Sequence, residues 1–181
     1  VAETFEQATE AASLIEVGYS QTDAIVEPSD PLAEPRYIEA LQVKWGAADE
    51  AFANSEVKVD EVYTTPREYN VPMEPHGCIA HWQRDELIVY ESSQWVGGAR
   101  NVIAQWMGID VAQVRVVSPF IGGGFGSKVA PHAHVAMACA ASRVLGRPLK
   151  VSLTRPQTFT GYGGRPRTGQ RVALGCTQQG I

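Results

Sequence analysis

The sequence predicts an α+β fold, a two-layer sandwich in which a mixed β-sheet carries its helices on one face. Three observations predict it. Short apolar runs that alternate with a period of two, typical of strands, are interspersed with longer segments whose apolar residues recur every three or four positions, typical of helices. Glycines, prolines and acidic residues separate these segments. The order of the main segments is β-β-α-β-α-β, which suits two layers around one core.

The N-terminal part predicts a helix followed by a short strand. Thr4 and Gln7 have the spacing of a helix capping box, and apolar residues then recur on one helical face. Residues 15–19 alternate between apolar and polar, as a strand does. We interpret residues 1–22 as the tail of a unit that begins earlier. Residues 23–55, which contain three prolines among acidic residues, are predicted to be an extended linker.

The main domain is predicted at residues 56–181. Its elements are a strand at 57–63, a hairpin of strands at 79–82 and 87–91, a helix at 95–106, a strand at 114–117, a helix at 131–145, and strands at 149–153 and 171–174. Gly108 and Gly146 are placed to end the two helices. One sheet with two covering helices follows from this order.

The most specific motif lies between the strand at 114–117 and the next helix. It reads Gly122-Gly123-Gly124-Phe125-Gly126-Ser127-Lys128. Glycines allow positive φ angles and a close approach of the backbone to a ligand. A P-loop or a dinucleotide-binding turn would need glycine where Ser127 stands, so a nucleotide is not the favoured ligand. The motif predicts a ligand-binding loop, with a purely structural β-to-α connection as the alternative, and Lys128 either binds an anion or closes the loop.

Composition excludes several classes of function. Net charge is -5 and no block of Lys or Arg occurs, so we expect no nucleic-acid partner. No apolar run approaches the roughly 20 residues that span a bilayer, so we expect no membrane span. The three cysteines are widely spaced, which argues against a zinc site or an iron–sulfur cluster within this chain.

Four sequence blocks occur in an order and at a spacing that resemble one protein family. They are Met73-Glu74-Pro75-His76, Ser92-Ser93-Gln94-Trp95, the glycine-rich motif with the preceding Pro119-Phe120-Ile121, and Arg165-Pro166-Arg167-Thr168-Gly169-Gln170-Arg171. Together they resemble the molybdenum-cofactor-binding (large) subunit of the xanthine dehydrogenase/aldehyde oxidase family of molybdenum hydroxylases. The likeness covers almost the whole chain. Residues 1–22 resemble the end of the family's α/β-hammerhead domain, and residues 56–181 its first molybdopterin-binding domain.

The resemblance implies a molybdenum-dependent oxidoreductase that hydroxylates an aldehyde or an N-heterocycle with water as the oxygen donor. Its cofactor is molybdopterin carrying molybdenum, and its electrons leave through iron–sulfur clusters and FAD on partner subunits or domains. It also implies the remainder of the molybdenum subunit as a partner, and a cytoplasmic location or a periplasmic one reached by export with a partner subunit. The family's catalytic glutamate lies well beyond Ile181. We therefore expect the chain to be one part of a subunit, inactive alone.

The resemblance also assigns roles within the chain. Gln94 would place its amide near the molybdenum oxo group, since a neutral amide can donate a hydrogen bond without adding charge. Phe125 would lie beside the metal and shape the substrate end. The backbone at Gly123, Gly124, Phe125 and Gly126 would bind the cofactor on its pterin dithiolene side. No residue of the chain is expected to ligate the metal directly.

The residues themselves leave plainer alternatives open. Gln94 could simply be an exposed residue that opens a helix, and Phe125 could be a core aromatic. His76 could support a turn or border the substrate funnel. The remaining candidates are His132 and His134, expected at the helix surface or an interface, and Arg165, Arg167 and Arg171, expected to meet the cofactor phosphate, a partner or solvent. For the whole chain, the second interpretation is a non-catalytic binding module that has kept the fold and lost the chemistry.

Overall fold

The computed structural model of the chain describes residues 1–28, 30–34 and 36–180. The chain divides into two compact units, Val1–Ala48 and Asp49–Ile181. The helices are α1 (Phe5–Ser13), α2 (Ala48–Asn54), α3 (Val96–Met107), α4 (Ala133–Leu145) and α5 (Arg155–Thr160), and the strands are β1 (Val57–Thr65), β2 (Gly77–Gln83), β3 (Glu86–Glu91), β4 (Val114–Val117), β5 (Leu149–Ser152) and β6 (Thr168–Cys176). A mixed fold of helices and sheets is therefore confirmed.

The first unit contains α1 and little other regular structure. The predicted capping box is present: the Thr4 hydroxyl accepts from the Gln7 backbone N–H at 3.2 Å, and the Gln7 side chain accepts from the Thr4 N–H at 3.3 Å. The predicted strand at residues 15–19 is wrong, because this segment forms no strand and its apolar side chains are exposed. Alternation alone cannot make a strand where no neighbouring strand pairs with the backbone.

The predicted linker contains a helix that sequence reasoning did not anticipate. This is α2, whose first turn carries two acidic residues, as suits the positive end of a helix dipole. Lys58, the second residue of β1, donates from Nζ to the carbonyl oxygen of Ala53 at 2.7 Å. This bond satisfies a carbonyl of the last turn, which no intrahelical N–H can reach. Before α2, the only helical segment in the described part of residues 23–47 is the 3₁₀ turn Glu39–Leu41.

A four-stranded mixed sheet lies at the centre of the second unit, in the strand order β4-β3-β2-β5. The predicted hairpin is formed by β2 and β3, which are antiparallel, and β5 is antiparallel to β2. β4 is parallel to β3, and α3 supplies the crossover that a parallel pair requires. Since parallel neighbours end at the same edge of a sheet, the segments that follow β3 and β4 are brought together.

Helices α3 and α4 pack on the sheet and enclose the core. Alternate residues of the strands point into it, which is the period-two pattern of a strand with one covered face. The buried core consists of Cys78, Ala80, Leu87, Val89, Val114 and Val116 from the sheet, and Ala99, Ile103, Ala104, Val135, Ala138 and Cys139 from the helices. Each fully buried large side chain contributes about 1.5–3 kcal/mol. As predicted, both helices end at a left-handed glycine, Gly108 at φ 64° and Gly146 at φ 62°. No helix in the described ranges is long and apolar enough to cross a bilayer.

Strands β1 and β6 pair with each other in a separate two-stranded ribbon. The pairing is antiparallel and runs from Val57 opposite Cys176 to Thr65 opposite Thr168. The sequence predicts both strands, although at shorter lengths than the structure shows. On this ribbon Arg171 forms a two-point ion pair with Asp60, at 2.7 and 2.6 Å.

Candidate functional site

The glycine-rich stretch from Gly122 to Lys128 forms a loop between β4 and α4, as predicted. Three of its glycines have positive φ, and so does Phe125, at 54°. A non-glycine residue in this region of conformational space costs about 1–3 kcal/mol, so surrounding contacts must hold it there. The Phe125 side chain is 74% exposed, so core packing does not supply those contacts.

Gln94 lies between β3 and α3 and reaches this loop. Its Oε1 accepts from the backbone N–H of Gly126 at 3.0 Å and of Lys128 at 3.2 Å, and its own N–H donates to the Lys128 carbonyl at 2.8 Å. Within the described part of the chain its Nε2 donates no hydrogen bond, and the residue is exposed. Gln94 therefore contacts the turn that carries Phe125, and its N–H₂ group is available to a ligand.

Two glycines of the loop leave no room for a larger residue. A Cβ at Gly124 would overlap the carboxamide of Gln94, and one at Gly122 would overlap the side chain of Glu74. Gly122 also has φ at 58°, which disfavours any side chain. The loop therefore lies against its neighbours through bare backbone.

The ammonium group of Lys128 is hydrogen-bonded within the chain, where it closes the loop, and is not left unpaired to bind an anion. Its side chain is buried, and its Nζ donates to the carbonyl of Ile121 at 2.6 Å and to Glu74 at Oε2, at 2.9 Å. These contacts join the residue before the loop to its last residue. Partial burial opposes ionisation of Glu74, but hydrogen bonds from Lys128 and Ser92 hold the pKa of this carboxyl below its usual value. Of the two roles that the sequence allowed, the structure shows loop closure.

The segment Asn70–His76, which precedes β2, braces the loop from another side. Asn70 donates from its amide to the carbonyl oxygen of Phe125, and the N–H of Glu74 donates to a loop carbonyl at 3.1 Å. Arg155 of α5 donates from both terminal nitrogens, at 2.7 Å each, to carbonyl oxygens of this segment. Sequence reasoning missed Asn70 and Arg155, because no local pattern indicates contacts between residues so far apart in the chain.

Three histidines and a tyrosine form a cluster at the end of the loop. The Nε2 atoms of His76 and His132 lie 3.2 and 2.7 Å from the carbonyl oxygen of Ser127. The Tyr162 ring stacks on His76 with centroids 4.2 Å apart, and its hydroxyl is hydrogen-bonded to Nδ1 of His134. The expectation that His132 and His134 lie at the helix surface or an interface is wrong for His134, which is buried within the chain. Its partner Tyr162 comes from a distant part of the chain, so the helical pattern gave no sign of it.

Burial disfavours the charged form of two of these imidazoles. It lowers the pKa of His134 to about 4, helped by the neighbouring histidines, and it also lowers the pKa of His76. Nδ1 of His76 and Nε2 of His134 are buried and have no hydrogen-bond partner in the described chain. Among the described residues no group of three or more His, Cys, Asp or Glu side chains could hold a metal ion.

Apolar side chains are exposed at the tip of the site. Phe120 and Phe125 are 80% and 74% exposed and form an apolar patch beside the loop. A cavity of about 420 Å³ opens next to it, lined by Phe120, Tyr90 and His76 among others.

The expected basic group is divided between ion pairs. Arg171 pairs with Asp60 as described above, and Arg165 lies 3.9 Å from a carboxylate oxygen of Glu68. Exposed pairs of this kind contribute little to stability, about 0–1 kcal/mol.

Comparison with known sequences identifies close relatives. Residues 30–181 match the family described as molybdopterin cofactor-binding domain. The chain is 36% identical over 183 residues to the aldehyde oxidoreductase molybdenum-binding subunit PaoC of Escherichia coli (strain K12), covering 99% of this chain and 25% of that protein. It is 34% identical over 168 residues to the carbon monoxide dehydrogenase large chain of Hydrogenophaga pseudoflava, covering 79% of this chain and 21% of that protein. The chain thus spans about a quarter of the length of these two curated relatives.

Solved structures share the fold. Quinoline 2-oxidoreductase from Pseudomonas putida 86 aligns with a TM-score of 0.79 and 26% identity, over 97% of this chain and 24% of that one. Aldehyde oxidoreductase from Desulfovibrio gigas aligns with a TM-score of 0.85 over 98% of this chain and 21% of that one, and at 22% identity it shows the fold alone. The resemblance carried by the four sequence blocks is confirmed: the chain belongs to the molybdopterin cofactor-binding domain family, found in the molybdenum-binding subunits of the xanthine dehydrogenase/aldehyde oxidase type.

Proposed function

We propose that this chain forms one wall of the cofactor site in a molybdenum hydroxylase that oxidises aldehydes or N-heterocycles with water as the oxygen donor. The observation that carries the proposal is the state of Gln94. Its carboxamide oxygen is fixed by two loop N–H groups, at Gly126 and Lys128 on the C-terminal side of Phe125, and its Nε2 donates to no group in the described chain. A donor held in this way is already oriented before a ligand arrives, which is how a binding site gains affinity and precision.

The residues present fit a molybdopterin cofactor. An electron-rich, anionic group needs hydrogen-bond donors, and the N–H groups of Gly124 and Phe125 donate to no acceptor in the described chain. The N–H of Gly126 is taken by Gln94, so Gly126 acts through that side chain. The nearby cation Lys128 is engaged by Glu74, which leaves neutral donors to meet the cofactor.

In this proposal Gln94, Gly123, Gly124 and Phe125 hold the cofactor, with Gly126 positioning Gln94. When bound, the molybdenum cofactor supplies the two-electron oxidation of the substrate carbon. The chain's own residues orient and enclose: the Gln94 amide donates to the cofactor, and the Phe125 ring excludes water and shapes the substrate end. Gln94 and Phe125 are the catalytic residues that we assign to this chain.

We extend the proposal to the architecture around the site. Residues 1–22 are the tail of an α/β-hammerhead domain, residues 23–55 a linker, and residues 56–181 the first molybdopterin-binding domain. That domain is a two-layer sandwich, which the packing of α3 and α4 on the four-stranded sheet supports. The catalytic glutamate and the second molybdopterin-binding domain would lie in other parts of the subunit, and iron–sulfur clusters and FAD on partner subunits or domains. We place the enzyme in the cytoplasm, with the periplasm as the alternative.

The relatives guide the choice of substrate. PaoC is an aldehyde oxidoreductase by name, and one structural relative is named for quinoline, an N-heterocycle. Identity to the first is the higher, so aldehydes are the first class to assay. These relatives also favour an enzyme over a non-catalytic module that retains the fold.

The test uses the complete enzyme that contains this chain, purified with its partner subunits. We expect stoichiometric molybdenum and pterin by metal and fluorescence analysis, and aldehyde oxidation with an artificial electron acceptor. Gln94→Glu keeps an acceptor oxygen for the loop but removes the N–H₂ donor. It should lower turnover by about 100-fold, the loss typical of one transition-state donor. The control Gln105→Ala changes an exposed glutamine of α3 and should behave as the parent enzyme. A parent enzyme without molybdenum would reject the proposal and favour the non-catalytic module.

A further inference from the structure

One backbone carbonyl of the loop, that of Ser127, accepts hydrogen bonds from two imidazoles. The oxygen of Ser127 lies 3.2 Å from Nε2 of His76 and 2.7 Å from Nε2 of His132. A carbonyl oxygen only accepts, so each Nε2 must carry a proton. The two histidines come from different elements, since His76 precedes β2 and His132 is the N-cap residue of α4.

The peptide unit that follows Ser127 is held at both ends. Its carbonyl oxygen faces the two imidazoles, and its N–H, which belongs to Lys128, donates to Oε1 of Gln94 at 3.2 Å. A peptide unit is planar and rigid, so fixing the carbonyl direction also fixes the direction of the N–H. The orientation of the Gln94 carboxamide is thereby linked to the two histidines.

The environment of His76 indicates that this residue does more than pack against its neighbours. It is 5% exposed, and its ring lies nearly parallel to that of Tyr162, at 18°. Its Nδ1 is buried with no partner in the described chain, which is a cost that an apolar ring would avoid. The imidazole therefore offers one thing that a phenylalanine lacks, namely the Nε2–H that faces Ser127.

We propose that His76 and His132 are positioning residues for Gln94. Through the Ser127–Lys128 peptide they hold its carboxamide so that Nε2 faces the ligand. This inference rests on the proposed role of Gln94 at the cofactor. Tyr162 supports His76 by stacking, and burial lowers the pKa of His76.

The experiment compares variants of the complete enzyme. His76→Phe keeps an aromatic ring against Tyr162 and removes the donor, while His76→Gln restores an N–H donor. The control His81→Phe changes a histidine of β2 whose imidazole meets the side chain of Gln83. For His76→Phe we expect amide exchange of the loop peptide 120–130 to rise about tenfold, as for the loss of one hydrogen bond. We also expect kcat to fall about tenfold with KM changed less than about twofold, because alignment rather than substrate binding is lost.

Partial recovery of both values in His76→Gln, with His81→Phe unchanged, would support the inference. Unchanged loop exchange and kcat in both His76→Phe and His132→Phe would overturn it. If either variant fails to fold, histidine-selective ¹⁵N spectra of the parent protein decide: Nε2–H on both histidines supports the inference, and Nδ1–H tautomers on both overturn it. Absence of molybdenum from the parent enzyme would instead reject the proposed function, and loop exchange and the tautomers would still decide whether the histidines hold the peptide.

Discussion

Gly124 packs closely against the side chain of Gln94. A methyl group at Gly124 would overlap the Gln94 carboxamide. We predict that Gly124→Ala lowers the free energy of unfolding of the chain by about 1–3 kcal/mol, the usual cost of overpacking. Urea denaturation followed by circular dichroism measures it. Gly163→Ala is the matched control, because a Cβ there meets no atom within 4 Å, and it should lie within about 0.5 kcal/mol of the parent. Equal stability of the two variants would contradict the packing described.

Replacement of Lys128 should also lower the free energy of unfolding. Lys128→Met keeps the length of the side chain and removes the ammonium, so the Ile121 carbonyl loses this donor and the Glu74 carboxylate keeps only the hydrogen bond from Ser92. We predict a loss of about 2–3 kcal/mol, less than for a fully buried pair, because the Glu74 side chain is 44% exposed and can be hydrated. Lys44→Met, at an exposed position, should have almost no effect. A similar loss in both variants would show that Lys128 does not close the loop.

Glu91 should make stability depend on pH. Burial raises the pKa of this carboxyl from 4.5 to about 7, so the folded chain retains a proton that the unfolded chain releases. Stability is therefore highest below pH 4.5 for this group and falls as the pH rises to 7. We predict that Glu91→Gln, relative to the parent, gains about 2 kcal/mol between pH 5 and pH 8. The exposed Glu86→Gln on the same strand should show no such gain. A stability difference between Glu91→Gln and the parent that does not change with pH would contradict the prediction.

Among the elements, the β1–β6 ribbon and the four-stranded sheet differ in what holds them. The sheet has a covered face with fully buried residues, whereas every residue of β1 is exposed. Two-stranded ribbons without a packed face are marginal. We predict that backbone amides of β1 and β6 exchange with solvent at least about 100-fold faster than those of β2 and β3. Hydrogen exchange with mass spectrometry resolves these peptides, and equal protection would mean that the ribbon is stabilised by packing not evident here.

Several elements were predictable from the sequence because their signals are local. The hairpin β2–β3, helices α3 and α4 with their terminal glycines, and the Gly122–Lys128 loop all follow from periodicity and from the conformational freedom of glycine. The false strand at residues 15–19 had the right alternation and lacked a partner, which alternation cannot reveal.

The residues of the candidate site also fall into those with a local sequence signal and those without one. Gln94 and Phe125 stand in recognisable blocks, and the parallel pairing of β3 and β4 brings their segments together. Asn70, Arg155 and Tyr162 were missed because their partners lie between 28 and 83 residues away in sequence, and only the folded chain shows these contacts. The burial of His134 belongs to the same class, since Tyr162 provides its partner.

At the level of the whole molecule, we propose that this chain contacts the cofactor from one side only. We predict that the 181-residue chain, purified alone, contains no stoichiometric molybdenum and oxidises no aldehyde. A large anionic cofactor needs donors on more than one side, and proton abstraction needs a carboxylate near the substrate. Glu74, whose carboxylate contacts the loop, is engaged by Lys128. Metal analysis and an assay with an artificial electron acceptor test this, and activity restored by adding the rest of the subunit would support it. Turnover by the isolated chain would contradict it.

The central claim is that Gln94 and the glycine-rich loop face the molybdenum cofactor. The most direct measurement is an experimental structure of the complete, molybdenum-loaded enzyme at a resolution that orients the Gln94 amide. We predict that Nε2 of Gln94 lies within hydrogen-bond distance of the cofactor, at about 2.7–3.2 Å. Its Oε1 should still be bound to the N–H groups of Gly126 and Lys128, and the Phe125 ring should lie beside the metal centre. A cofactor held elsewhere, with Gln94 facing solvent or another side chain, would contradict it.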